Sequence, residues 1–356
     1  MNRYFLPKSG WEFFDVSKAY GLGIIIHTLS GNASVTDAGG FYLIESKKEL
    51  DFRKIEEISK YFDDTEIKTA LITIQRSTKS EMKPSVKKVK ENVVNILTNE
   101  ENLFELIKSH EKLSSPTTIG TDKQTLYQTM DLAATKGIRN EILLKKNYSE
   151  GSNINISMED FSFSLLGHLN FTIKRFSDFG MIFVAPTPLK TEIGNVRQIY
   201  MNLKDAIKGA HRAGWFPSVT QIAINLVLEE LTVEKSGKFA PKFGSLIYSV
   251  MMKTGNQWKP STGGISSLDF LYHIANSENG INILNKWKNI FRFTAFKKGY
   301  EDLPTSLAEF IANPDLSNYE RYLNLHLRNE IDKNRTNKFG NYERENLQEV
   351  MKNVRI

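Results

Sequence analysis

The chain has 356 residues, 40% of them apolar and 25% charged, enough to bury a core and to fill two domains. It has no cysteine, which excludes disulfide frameworks, thiol nucleophiles and cysteine-ligated zinc or iron–sulfur centres. The formal net charge of +6 favours polyanionic partners, and it is unevenly spread: residues 1–164 carry 22 Lys and Arg against 23 Asp and Glu, residues 165–260 carry 12 against 6.

The most apolar stretch, Trp11 to Leu29, is interrupted by Glu12, Asp15, Lys18 and His27, too charged for a bilayer span or a signal peptide. It predicts a buried helix capped at Ser30-Gly31. Two short strands, Ala33–Thr36 and Phe41–Ile44, flank Asp37-Ala38-Gly39-Gly40 and predict a hairpin. A helix is expected around Glu49–Tyr61 and a strand over Lys68–Gln75. Helical patterning follows from Ser85 to about Ala134, with breaks at Asn99 and across 114–120. Met158–Phe171 predicts a helix, and Met181–Val184 a strand running into the stiff connection Ala185-Pro186-Thr187-Pro188. Val196–Met201 is expected as a strand and Leu203–Ala213 as a helix. Ser218 is expected to cap a helix ending near Leu231. Ser245–Met252 predicts a strand paired near Gln257–Lys259. Beyond Ser266 only helical periodicity remains, at 268–275, 280–290, 306–312, 316–331 and 342–354. The fold class expected is α+β: a mixed N-terminal body with short strands, residues 1–265, followed by a helical C-terminal domain, residues 266–356.

Signatures of catalysis are missing. There is no phosphate-binding G-x-x-x-x-G-K-[ST] loop and no G-x-S-x-G elbow, and Gly21-Leu22-Gly23 lacks the third glycine of a dinucleotide fingerprint. The six histidines stand singly, and none is followed by Asp. His110-Glu111 opens like a zinc-protease helix, but Ser114 stands where the second ligand would be. Asp63-Asp64 and Glu229-Glu230 are adjacent carboxylates whose side chains diverge on a helix or strand. No cofactor and no metal site are expected.

Three basic sets remain. Arg76, Lys79, Lys83, Lys87, Lys88 and Lys90 join a loop to a helix on which Lys83, Lys87 and Lys90 share a face. That arrangement suits a phosphate backbone, and equally a solvated helix face. Lys174, Arg175, Lys190, Arg197 and Arg212 form a second set, with Lys204 and Lys208 between the last two. It is followed by Trp215 and Phe216, which offer stacking faces or, more commonly, a core plug. Lys286, Lys288, Arg292, Lys297 and Lys298 are interleaved with Trp287, Phe291, Phe293 and Phe296. There the aromatics are expected to pack and the lysines could line a groove.

Three stretches carry a resemblance. They are Ser9-Gly10-Trp11 with Phe14-Asp15-Val16, Gly21 and Val35-Thr36-Asp37 through Gly40-Phe41-Tyr42; Leu166-Gly167-His168-Leu169-Asn170-Phe171 leading to Ala185-Pro186-Thr187-Pro188 and Arg197; and Leu307-Ala308-Glu309-Phe310-Ile311-Ala312-Asn313-Pro314 with His326-Leu327-Arg328. The chain resembles the large subunits of type I CRISPR effector complexes (Cascade), subtype I-A in particular. Several members of that wider group carry a CxxC-type zinc site, which this chain, lacking cysteine, cannot form; if that site supports folding in those relatives, packing must replace it here. The resemblance implies a non-enzymatic, cytoplasmic protein that reads a protospacer-adjacent motif in double-stranded DNA and helps open it to single strands. Its implied partners are a crRNA-containing complex, other Cascade subunits and the helicase–nuclease, with no membrane. A metal-dependent nuclease built from distant acids, and a structural subunit touching only proteins, are the alternatives.

Overall fold

A computed structural model describes residues 1–64, 66–67, 86–113, 157–177, 180–207, 209–233, 240–254, 257–331 and 344–354. The fold is α+β. Two compact units share the chain: unit 1 comprises 1–173, 183–200 and 247–264, and unit 2 comprises 174–182, 201–246 and 265–356. The division is thus discontinuous, where the sequence suggests one boundary at 265/266. The strand expected over Lys68–Gln75 and the helical stretch 114–134 lie outside the described residues.

Unit 1 opens on β1 (Asn2–Pro7), a strand beyond those expected, on which Tyr4 and Leu6 alternate inward. It pairs antiparallel with β3 (Phe41–Ser46), β3 with β2 (Ser34–Asp37), and β2 with β6 (Lys190–Glu192), giving the order β1-β3-β2-β6. The period-2 rule puts Tyr4, Leu6, Val35, Tyr42, Ile44 and Thr191 on one buried face. The β2–β3 hairpin forms where Asp37-Ala38-Gly39-Gly40 predicts it. Gly39 takes φ +81°, its N–H donates to Asp37 Oδ1 at 2.8 Å, and Lys8 clamps the same carboxylate at 2.7 Å.

Beneath the sheet lies α1 (Glu12–Ser30), buried nearly all round and ended by Gly31 at φ +77°. At its start Asp15 accepts the N–H groups of Ser9 and Gly10 and the Ser9 hydroxyl. A 3₁₀ helix, Phe52–Tyr61, stands where an α-helix is expected, its first turn capped by Asp51. Helices α2 (Val86–Thr98) and α3 (Glu100–Ser109) divide at Asn99, whose side chain caps α3.

The most extensive helix pairing among the described residues joins α1 to α4 (Met158–Phe171). Two glycines make it possible. A Cβ on Gly21 would lie 1.8 Å from the Phe163 carbonyl oxygen, and one on Gly167 would lie 1.8 Å from that of Ser17. The backbones touch, so each helix needs a bare Cα at the crossing. Lys18 of α1 and Asp160 of α4 form an ion pair there with side-chain exposures of 5% and 15%. Around it Tyr20 packs on Phe171 at 4.5 Å and donates to the Pro186 carbonyl at 2.8 Å.

Strands β4 (Ile173–Ser177), β5 (Gly180–Pro188), β7 (Phe243–Thr254) and β8 (Gln257–Ser267) form a second sheet in the order β4-β5-β7-β8. The Ala185–Pro188 segment continues β5, where a connection is expected. Val196–Met201, expected as a strand, lies within α5 (Ile193–Ala206). Buried Val196, Ile199, Tyr200, Leu203 and Ile207 recur at helical spacing, and that stripe outweighs the β-branched content of the short window. The helix expected over Leu203–Ala213 therefore ends early, and Gly209 turns the chain at φ +75°.

In unit 2, α6 (Trp215–Val233) starts ahead of Ser218. The Ser218 hydroxyl accepts the His211 N–H and donates to the Gly214 carbonyl, both at 2.7 Å, so it locks the approach to the helix rather than capping it. Glu230, fully buried, accepts Tyr272 Oη at 2.5 Å and the Lys242 N–H at 3.0 Å. Four further helices, α7 (Asp269–Ala275), α8 (Gly280–Thr294), α9 (Asp302–Ala312) and α10 (Leu316–Ile331), gather around Phe310, whose ring meets Trp287, Tyr319 and Tyr322. α11 (Arg344–Lys352) packs on α8. No helix among the described residues is long and apolar enough to cross a membrane.

Buried titratable groups make stability depend on pH. Burial holds His211 and His326 down at about 4, below their usual 6.5. Burial also pushes the Asp15 carboxyl up to about 6. As pH falls from about 6.5 to 4, the unfolded chain takes up protons at both histidines before the folded one does. Each histidine then loses on the order of 3 kcal/mol. Asp15 acts oppositely, since its contribution is fullest at low pH and fades as pH rises through about 6. Two histidines outweigh one carboxyl, so the melting temperature is expected to be lower at pH 4.5 than at pH 7. In Asp15→Asn the acid loss should be steeper. A melting temperature flat from pH 7 to 4.5 would show that these imidazoles titrate normally in the fold.

Candidate nucleic-acid interface

The described members of the predicted cation set are divided between the two units. Arg76, Lys79 and Lys83 lie outside the described residues, as does the Lys88 side chain. In unit 1, Lys87 is exposed on α2 and lies 3.8 Å from Glu91, one turn on. Lys90 bonds Asp64 at 2.6 Å, and Arg197 lies over the Tyr61 ring at 4.5 Å. Lys90 therefore fastens the segment that follows the 3₁₀ helix, and Arg197 covers that helix's last residue. Lys190 is exposed on β6 with no carboxylate in ion-pair range among the described residues. Burial, and then the charge of Arg197, lowers the His27 imidazole below its usual range. His27 lines a cavity of about 200 Å³ with Asn32, Glu45, Lys47, Glu192 and Asn195. Its carboxylates oppose phosphate, so it adds nothing to a polyanion surface.

Arg175, in unit 2, is 6% exposed. Its guanidinium donates to the carbonyls of Lys174, Leu203 and Lys204, at 2.7, 3.2 and 3.4 Å. The last two belong to the final turn of α5, where the helix dipole favours a cation, and the Leu203 carbonyl accepts the Ile207 N–H as well. Arg175 thus terminates a helix, and a phosphate cannot reach it. Lys174 beside it is half-buried.

Among the described residues of the predicted set, Arg212 alone stands on an exposed basic and aromatic surface, beside residues of the third set. Its N–H donates to the Ala295 carbonyl at 2.8 Å, and its side chain pairs with Glu301 at 3.3 Å. These bonds hold the turn between α8 and α9, on which Phe296, Lys297 and Lys298 are exposed. Lys297 Nζ sits 3.4 Å from the Phe293 ring centre. The Ala210 N–H donates to the Phe176 carbonyl at 3.2 Å, and Gly209 lies beside the Phe296 ring, so β4, the 209–212 loop and this turn converge. Trp287 and Phe291 are fully buried, as expected, whereas Phe176 and Phe296 are 49% and 66% exposed. Trp215 and Phe216 are half-buried, their rings tilted against each other at 5.4 Å. The one sequence signal for this surface is an aromatic residue followed by Lys-Lys-Gly between two helices.

No family model matches the chain. A protein of Archaeoglobus fulgidus, described as an uncharacterized protein, is 59% identical over 358 residues, spanning 100% of this chain and 99% of its own length. The chain belongs to that protein's family. Likeness over the whole length extends across both units. Among the described residues no group of three or more His, Asp or Glu is placed to hold a metal ion.

Proposed function

We propose that the chain is the non-catalytic large subunit of a type I CRISPR surveillance complex. In this reading it is a cytoplasmic nucleic-acid-binding protein that works with crRNA and the other subunits. It reads a short protospacer-adjacent motif, helps to open the duplex and presents the opened target to the helicase–nuclease. The observation that carries the reading is the α8–α9 surface. Lys297, Lys298 and Arg292 are exposed without carboxylate partners among the described residues, and Arg212 stands beside them. Base pairing with a guide would supply sequence recognition, leaving the protein to hold backbones and a few base pairs. The resemblance over three separated stretches adds to it.

Binding of duplex DNA should weaken steeply with salt. About four neutralised phosphates give a log–log slope near −3.6. In Arg212→Glu/Lys298→Glu the slope should shrink by about 2, with affinity lowered uniformly across sequences. Arg175→Glu is unsuitable as a probe because it removes the α5 terminus. An unchanged slope in the double variant would remove this surface from the interface. Chelator-sensitive cleavage of labelled DNA or RNA with Mg²⁺ would instead establish a nuclease. A second reading, a subunit that meets acidic proteins only, is favoured by the ion pairs that already engage Lys87 and Lys90. Retention of partners after complete nuclease digestion would select it.

A further inference from the structure

We infer that Phe296 is a stacking platform for an unpaired base, which makes the α8–α9 surface a site for single-stranded nucleic acid. The inference rests on the nucleic-acid reading and names the form of the ligand. A single exposed apolar residue is ordinary. Phe296 is distinguished by its setting. The backbone on either side is fixed: the Ala295 carbonyl accepts the Arg212 N–H at 2.8 Å, and the Lys297 N–H donates to the Thr294 carbonyl at 3.2 Å. The Gly299 N–H donates to the Glu301 carboxylate at 2.7 Å, closing the turn. An aromatic ring is therefore held out to solvent by a built loop, at 66% exposure.

Its surroundings supply what a base and its phosphates need. The site where a Gly209 Cβ would stand is 3.6 Å from Phe296 Cε1, so the ring tip lies along bare backbone, with exposed Phe176 next to the same loop. Lys297 is preorganised over the Phe293 ring, and Phe293 is braced edge-on by Tyr300 at 5.7 Å. Lys297 and Lys298 have no carboxylate partner among the described residues, which leaves them for the adjoining phosphates. A duplex hides base faces inside its stack. Away from duplex ends only an unpaired base can lie on the ring, whereas the lysines attract either form.

The test uses the full chain, a fluorescein-labelled single strand of about 15 nucleotides and a blunt duplex of equal length, followed by anisotropy at fixed salt. Phe296→Ala should weaken single-strand binding roughly tenfold and leave duplex binding unchanged. Phe296→Trp should restore single-strand binding, because it keeps a π-face. Lys297→Glu/Lys298→Glu should weaken both ligands. Wild-type binding that Phe296→Ala leaves untouched, or lowers equally for both ligands, overturns the stacking role and spares the broader proposal. Wild type that binds neither ligand overturns both.

Discussion

Alanine at Gly167 is expected to unfold the chain at temperatures where the wild type is intact. The added Cβ would stand 1.8 Å from the Ser17 carbonyl oxygen and 2.7 Å from the Gly21 nitrogen, both backbone atoms. No rotamer change relieves such a clash, so α1 and α4 must separate and loosen the largest helix contact in unit 1. Overpacking of cores commonly costs 1–3 kcal/mol, and a backbone-on-backbone clash belongs above about 3 kcal/mol. That lowers the melting temperature by roughly 10 °C, or leaves the protein insoluble. Gly21→Ala should behave alike. The double variant should cost less than the two singles together, since helices already parted make room for the second methyl. Gly40→Ala, whose Cβ meets nothing within 4 Å, is the control. A Gly167→Ala melt within about a degree of wild type would mean the crossing is not as close as described.

Loss of either partner of the Lys18–Asp160 pair is expected to cost about 3–5 kcal/mol, whereas loss of both should cost much less. Water hardly reaches the pair, so a single removal strands a charge in a medium that solvates it poorly. His110 feels both charges, with Lys18 lowering and Asp160 raising its pKa, although burial is the largest influence and holds it low. Denaturant midpoints of Lys18→Met, Asp160→Leu and their combination form a double-mutant cycle. The combination should recover most of the loss, since two apolar side chains of similar volume fill the space without a charge. Strictly additive midpoints would mean that solvent screens the pair.

Elements with long periodic or well-punctuated sequence were legible. α1 ends at the glycine the sequence offers, α4 falls on the predicted residues, and the β2–β3 hairpin turns on Asp37–Gly40. The failures have local causes. In the six-residue window Val196–Met201 a strand and one face of a helix look alike, and only Leu203 and Ile207 beyond it reveal the helical stripe. β1 is short and depends on β3 for its partner, a pairing distant in sequence. The candidate surface was harder to read, because net charge along the chain does not show whether a cation is engaged. Arg175 and Arg212 look equivalent in sequence, yet one ends α5 and the other braces an exposed turn. The residues that carry the resemblance include Ser9 and Asp15, which bond each other at the start of α1, and Gly21 and Gly167, which build the α1–α4 crossing.

The first sheet has a temporal consequence. β2 receives its outer neighbour only from Lys190–Glu192, far later in the sequence. During ribosomal synthesis the nascent N-terminal strands therefore wait with one hydrogen-bonding edge uncovered, a template for pairing with another emerging copy. Only when the late strand docks is the β2 edge covered, which puts the protection of that edge late in synthesis.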